Sequence, residues 1–402
     1  MTTDKQLRQR GEQVFPGGMY GHMSTYRLMP EGYPQYFRKA DGCRLWDVED
    51  NEYIDYMCSY GPMLLGYNHP LIREAADIQR NQIDIGNGPA EVIIELAEKF
   101  ISQVSHADWA IFAKNGNDST TIAMMCARAK AQKSVILVAH GAYHGSQPWT
   151  NRTAPGSAPS EHDAFITYSF NDVESLEAAV QQSNGALAGI MVSAFKHDAG
   201  KPQQLTDPAF AHRVRELCDE HDAALILDDV RAGLRLSTDT SWSALGVQPD
   251  ISAWGKAIAN GEPLAGVLGS ESYRDAMASV FVTGSFWYQA APMAAAIKTL
   301  SIVNENEIPK MLERLGQKLR DGLYKQAQRH GFGIVQSGPV QMPTIMFEDD
   351  EDFRRGKDFC SQLIKEGVYF HPWHNMFLSA AHTDADIDQT LDATDRVLAR
   401  LS

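Results

Sequence analysis

Six short apolar runs in the middle of the chain constrain its fold more than any other feature. They are WAIFA (109–113), SVILVA (134–139), AGIMVSA (188–194), AALILDD (223–229), ISAW (251–254) and AGVLGS (265–270). Runs this short and this uniformly apolar read as strands buried on both faces, and amphipathic helical patterns alternate with them. That alternation is the mark of a mostly parallel sheet. Between the third and fourth runs, Phe210, Val214, Leu217 and Cys218 recur at helical spacing, with Asp207 and Pro208 as cap and first turn. From about residue 290 the pattern changes to long amphipathic helices and a β segment near GIVQSGPVQMPTIMF. The last helix, from about Ala385, sets Ile387, Leu391, Val397 and Leu398 roughly on one face. Short aromatic strand-like pieces occupy the N-terminal region, as in YFRKADGCRLWDVEDNEYIDY. The expected fold class is α/β: a large domain over 55–290, its mostly parallel sheet sandwiched by helices, and a smaller α/β domain built from 1–54 and 291–402.

Charge and composition narrow the function. With 36 basic against 51 acidic residues the net charge is −15, which argues against nucleic acid or an anionic membrane surface as the main partner. Any anionic ligand must then be held by local dipoles and a few placed cations. Cys43, Cys58, Cys126, Cys218 and Cys360 show no paired short spacing, so neither a metal site nor a disulfide framework is expected. The N-terminus is polar, and no stretch approaches the ~20 apolar residues of a membrane span. A cytoplasmic protein is expected.

In open parallel sheets ligands bind at the carboxyl ends of the strands, and four of these ends carry unusual polar chemistry. After the first comes Asn115-Gly116-Asn117-Asp118-Ser119-Thr120. Amides and hydroxyls at a helix N-terminus there would form an anion site, although the segment alone also fits a plain Asx-rich turn capped by Asp118. After the second, Tyr143 and His144 sit between two glycines, where an aromatic ring could stack on a flat ligand or simply pack. The fourth run ends in Asp228 and Asp229, and a carboxylate at the end of a buried strand is costly unless a positive charge meets it. No arginine or lysine closely precedes the pair, and Arg231 lies one pleat further on. After ISAW, Lys256 follows a glycine among small apolar residues, where desolvation would lower its pKa and free the amine for Schiff-base chemistry. Together these supply an acid for a ring nitrogen, a lysine for an imine, an aromatic to stack and a helix end for a phosphate. Those are the requirements of pyridoxal 5′-phosphate (PLP) as an electron sink.

The segments FPGGM, LWDVEDNEYIDYMCSYGPMLLGYNHP, GAYHG, LILDDVRAGLR, GKAIANGEPLAGVLG and FLSAAHTDADI resemble, in order and nearly end to end, those of the class III aminotransferases of PLP fold type I. Within that family the likeness is greatest to the glutamate-1-semialdehyde 2,1-aminomutases. The resemblance implies Lys256 as the Schiff-base lysine, Asp228 as the pyridinium partner, and Val230 and Tyr143 on opposite faces of the ring. It also implies Gly116, Asn117, Asp118 and Ser119 as the phosphate turn with His144 nearby, and Thr283 and Ser285 as phosphate contacts from a neighbouring subunit. A homodimer with shared active sites follows from that last point.

Departures from the family pattern bear on the substrate. Asp118 would repel a phosphate it faced, so it is expected to cap the helix instead. The usual Val-Glu-Pro is here Val192-Ser193-Ala194, and the second acid of the pair is Asp229. Where the aminomutases carry an arginine for the substrate carboxylate, this chain has Met23-Ser24, with Arg27 nearby. Tyr20, His22, Tyr60 and Trp287 make an aromatic-rich substrate pocket suited to a bulkier or less charged amine. The expected function is a PLP-dependent aminotransferase moving an amino group between an amine or amino acid donor and a carbonyl acceptor through a Lys256 Schiff base, both substrates being small molecules. An aminomutase or epimerase using the same machinery, or a catalytically silent protein of this fold, are the alternatives.

Overall fold

The computed structural model describes residues 2–150 and 155–401. The chain divides into two units. The smaller comprises Met1–His69, Ala199–Pro202 and Lys310–Ser402, and the larger Pro70–Asp198 and Gln203–Pro309.

The larger unit is organised on seven strands: β1 (Trp109–Ala113), β2 (Val135–Ala139), β3 (Phe165–Tyr168), β4 (Leu187–Ser193), β5 (Ala224–Asp228), β6 (Ile251–Trp254) and β7 (Ala265–Gly269). Their order is β1-β7-β6-β5-β4-β2-β3. Strand β7 runs antiparallel to both β6 and β1, and the remaining pairings are parallel. Every residue of β4, β5, β6 and β7 is buried, which explains their unbroken apolar sequences. The strand that sequence reading misses is β3, FITY, which lies at the sheet edge and is only half-buried, so no continuous apolar run marks it.

Helix α1 (Gly116–Ala131) covers one face of this sheet. Its Ile122, Ala123, Cys126 and Ala127 share a core with Met191, Ile226, Ile251 and Val267. Helices α2 (Val173–Gln182) and α3 (Pro208–Glu220) cover the other, where Leu176, Phe210, Val214 and Leu217 meet Ile190, Val192, Leu225 and Leu227. As the sequence anticipates, the Asp207 carboxylate caps α3 by accepting the Ala209 amide, with Pro208 in its first turn.

The boundaries between the units differ from the expected 55 and 291. Residues 56–69 stay with the N-terminal segment because their backbone is bonded there: the Phe377 amide donates to Tyr56 and the Ala380 amide to Leu64. Helix α4 (Ala290–Glu305) joins the larger unit, lying on the helices Pro70–Gln82 and Val92–Gln103. Buried residues fall all round α4, so it belongs inside a core rather than at an amphipathic surface.

In the smaller unit, strands Phe37–Asp41, Arg44–Asp47 and Glu52–Asp55 form an antiparallel meander, which Val368–Tyr369 joins in parallel. The expected C-terminal β segment is the hairpin Ile334–Ser337 with Thr344–Phe347. The last helix runs Asp384–Leu398 behind a Thr383–Asp386 capping box, and its Ile387, Val397 and Leu398 are buried. No helix among the described residues is long and apolar enough to cross a membrane.

Candidate active site

The larger unit gathers its candidate residues where β5, β6 and the N-terminus of α1 meet. Strand β5 ends at Asp228, so strand alternation does not extend to Val230. A turn follows instead: the Val230 amide folds back to donate to Asp228 Oδ1 at 3.1 Å. The Val230 side chain then fills the space beside two glycines. A Cβ on Gly116 would stand 2.7 Å from Val230 Cγ1, and one on Gly255 3.2 Å from the same atom. Only glycine lets the first turn of α1 and the segment before Lys256 come this close.

Lys256 opens a short 3-10 turn, Lys256–Ala259, directly after β6 and Gly255. Its φ of 46° lies in the left-handed region, a strained state for a residue with a side chain. Its amine is lowered from 10.5 to about 7, first by burial and then by the charge of Arg231, with Asp228 opposing both. Arg231 is a site residue that sequence reasoning passed over. It is half-buried, and burial lowers its own pKa to about 10 while the charge of Asp228 raises it. The signal was a third charged residue immediately past the strand end.

Asp228 is buried, and its Oδ2 lies 2.7 Å from His144 Nδ1. The His144 carbonyl in turn accepts the Thr120 hydroxyl of α1 at 2.9 Å, which fixes the loop that carries Tyr143. Tyr143 itself is 54% exposed, with a ring available to a ligand. Asp229 separates from its neighbour: its Oδ2 accepts the Ser241 amide at 2.9 Å, and burial raises its carboxyl to about 7.

In the turn that opens α1, two side chains that the resemblance places in the phosphate turn, Asp118 and Ser119, are bonded within the turn itself. Asp118 Oδ2 accepts the Asn115 amide at 2.9 Å, the capping role its charge requires. The Ser119 hydroxyl donates to the Gly116 carbonyl at 2.9 Å, because a serine this early in a buried helix turns back onto its own backbone. Asn117 reaches the 141–146 loop, accepting the Ser146 amide at 2.9 Å. What remains for an anion is the first-turn amides of Gly116 and Asn117, which have no acceptor within a helix.

Thr283 and Ser285 are exposed, on a segment that with Trp287 borders an apolar cavity of about 500 Å³ lined also by Ile93, Ile94 and Phe112. In the smaller unit, His22 and Tyr60 meet edge-to-face at 4.6 Å, and Tyr60 meets His374 the same way at 5.4 Å. Tyr20 is 58% exposed and lies against Phe15. Arg27 stacks on Tyr26 and donates to its hydroxyl at 2.9 Å. Sequence reading missed His374 because it lies far from His22 and Tyr60 along the chain.

Comparison with known proteins decides the family. The class-III aminotransferase model matches residues 29–398. The chain belongs to the class-III aminotransferases. It is 50% identical, over 99% of its length and 94% of the relative's, to an aminopentol aminotransferase of Sphingopyxis macrogoltabida. It is 32% identical, over 98% and 96%, to a 3-aminobutyryl-CoA aminotransferase of Cloacimonas acidaminovorans (strain Evry). The PLP internal aldimine form of the FumI protein of Sphingopyxis sp. MTA144 superposes with a TM-score of 0.98 at 50% identity, covering 99% of this chain and 96% of that one. This class-III aminotransferase is a PLP-dependent enzyme acting on small molecules, and the isomerase alternative is no better supported. The residues present fit the cofactor. Asp228 keeps an acceptor position open beside the bonds from His144 and Val230, since a carboxylate offers about four lone-pair sites. The α1 amides suit a phosphate, and Lys256 is a half-buried amine with a lowered pKa.

Proposed function

We propose that Lys256 Nζ binds the cofactor covalently and moves the proton at the amine-bearing carbon of the substrate. The observation that carries this reading is the half-buried amine itself, lowered by desolvation to about 7, beside the charge of Asp228 at the end of a parallel strand. A base with a pKa near the working pH is the efficient proton carrier. When bound, PLP supplies a protonated pyridine ring that accepts the electron pair left on the substrate carbon. Asp228 holds the proton on the ring nitrogen, with His144 Nδ1 orienting the carboxylate at 2.7 Å. Val230 and Tyr143 would flank the ring, and the amides of Gly116 and Asn117 would hold the phosphate.

The donor in this reading is an amine without an α-carboxylate, akin to the one named in the aminopentol aminotransferase relative. The Met23-Ser24 pair, at the place where the aminomutases carry an arginine for the substrate carboxylate, supports it. Homodimerisation completes the proposal, the exposed Thr283–Ser285 segment serving the site of a second copy. The five cysteines are all buried thiols, which suits the cytoplasm.

The test replaces Lys256 with alanine. Lys256→Ala is expected to remove the visible absorbance that borohydride bleaches in the wild type, together with transfer to a carbonyl acceptor. Normal turnover by the variant would overturn the assignment. A panel of amines with and without carboxylates, each paired with a carbonyl acceptor, tests the donor class.

A further inference from the structure

We propose that Ser193 donates a hydrogen bond to the bound cofactor beside Asp228, at the phenolic oxygen of the ring. The inference rests on the reading that Asp228, Lys256 and the start of α1 hold PLP.

Strands β4 and β5 run parallel, with Ser193 directly opposite Asp228. Paired residues of parallel strands project from the same face, and the core bears this out two residues earlier. Met191 and Ile226, a pair, both enter the core shared with α1, whereas Val192 and Leu227 both enter the opposite one. Two residues on, Ser193 and Asp228 therefore both project on the α1 side, at the carboxyl edge of the sheet.

Two buried polar atoms without partners lie in this place. Ser193 is 8% exposed, and its Oγ has no hydrogen-bond partner. His144 Nε2 is likewise unpartnered. His144 reaches Asp228 from the segment after β2, and β4 lies between β2 and β5. The bond thus spans the carboxyl end of β4, the strand that ends in Ser193. A buried hydroxyl that meets nothing in the protein carries a desolvation penalty, and a ligand that accepts its proton removes it.

The chemistry of PLP leaves one such acceptor. The ring nitrogen falls to Asp228, the phosphate to the α1 amides and the carbonyl carbon to Lys256. The phenolic oxygen is the remaining polar atom, and Ser193 Oγ–H is a buried, unpartnered donor on the strand position paired with Asp228. A donor at that oxygen favours its deprotonated form, so the proton shared with the neighbouring nitrogen is held less tightly.

Three proteins test this: wild type, Ser193→Ala and Ser193→Thr. For each, the visible band is titrated with pH, PLP affinity is measured by equilibrium titration, and the cofactor-free form is melted. Ser193→Ala is expected to raise the pH midpoint of the band by about one unit and to weaken PLP binding about ten-fold, the equivalent of one lost hydrogen bond to a charged group. Ser193→Thr, which keeps the hydroxyl, is expected to stay near wild type. An unchanged midpoint in Ser193→Ala overturns the proposal, as does a threonine variant that follows alanine. So does a loss of melting temperature in the cofactor-free alanine variant with an unmoved midpoint, since the hydroxyl would then be structural. A wild-type band that survives Lys256→Ala sinks the parent reading. A lysine-dependent band insensitive to Ser193→Ala sinks this inference alone.

Discussion

Lys256 and Asp229 show how burial sets chemistry one residue at a time. The lysine amine is lowered from 10.5 to about 7, first by desolvation and then by Arg231. Capture of PLP by the cofactor-free enzyme needs the neutral amine. Its rate should therefore rise about ten-fold per pH unit below about 7 and level off above, rather than climbing toward 10.5; stopped-flow absorbance measures this. Asp229 moves the other way. Burial raises its carboxyl from 3.8 to about 7, so the folded state binds that proton more tightly than the unfolded chain does. Stability from this group is fullest below the lower value and is lost as pH climbs through about 7. Melting of the cofactor-free protein should fall between about pH 4 and about pH 7 and level off above, and Asp229→Asn, neutral throughout, should flatten that fall.

Among the elements, the junction of α1 with β5 and β6 is the most constrained. Gly116→Ala would set a Cβ 2.7 Å from Val230 Cγ1, in a place where neither partner can yield freely. Overpacking of this kind costs about 1–3 kcal/mol. The variant should lose a few degrees of melting temperature and bind PLP about ten-fold more weakly, as the α1 amides shift; calorimetry and cofactor titration check the two effects. This junction also shows what the sequence makes legible. Strands buried on both faces announce themselves as apolar runs, and polar residues placed just past them, Lys256, Asp228 and Tyr143, stand out against that background. The edge strand β3 escapes because half of its surface is polar or solvated. The side chains of Asp118 and Ser119 point to backbone acceptors and donors within their own turn, which residue identity alone leaves open. The His144–Asp228 bond joins residues 84 apart in sequence, and no local periodicity encodes it.

For the whole molecule, the exposed apolar side chains of the larger unit bear on assembly. Phe281 is 85% exposed, Phe286 62% and Ile94 61%, close in sequence to residues that line the apolar cavity. A monomer rarely leaves such large side chains in water together. Light scattering should give twice the mass of one chain, and a Phe281→Asp/Phe286→Asp double variant should give a single chain with weakened PLP binding. The order of the large sheet has a consequence of another kind, in time rather than energy. Strand β1 lies at the sheet edge and pairs only with β7, so WAIFA is made at 109–113 while its partner follows at 265–269. About 150 residues must leave the ribosome in between, roughly 8–30 s at usual synthesis rates. Through that interval a bare apolar strand precedes everything able to cover its hydrogen-bonding edge. The nascent chain is most exposed to misassembly there, and chaperone capture during synthesis should concentrate on that segment.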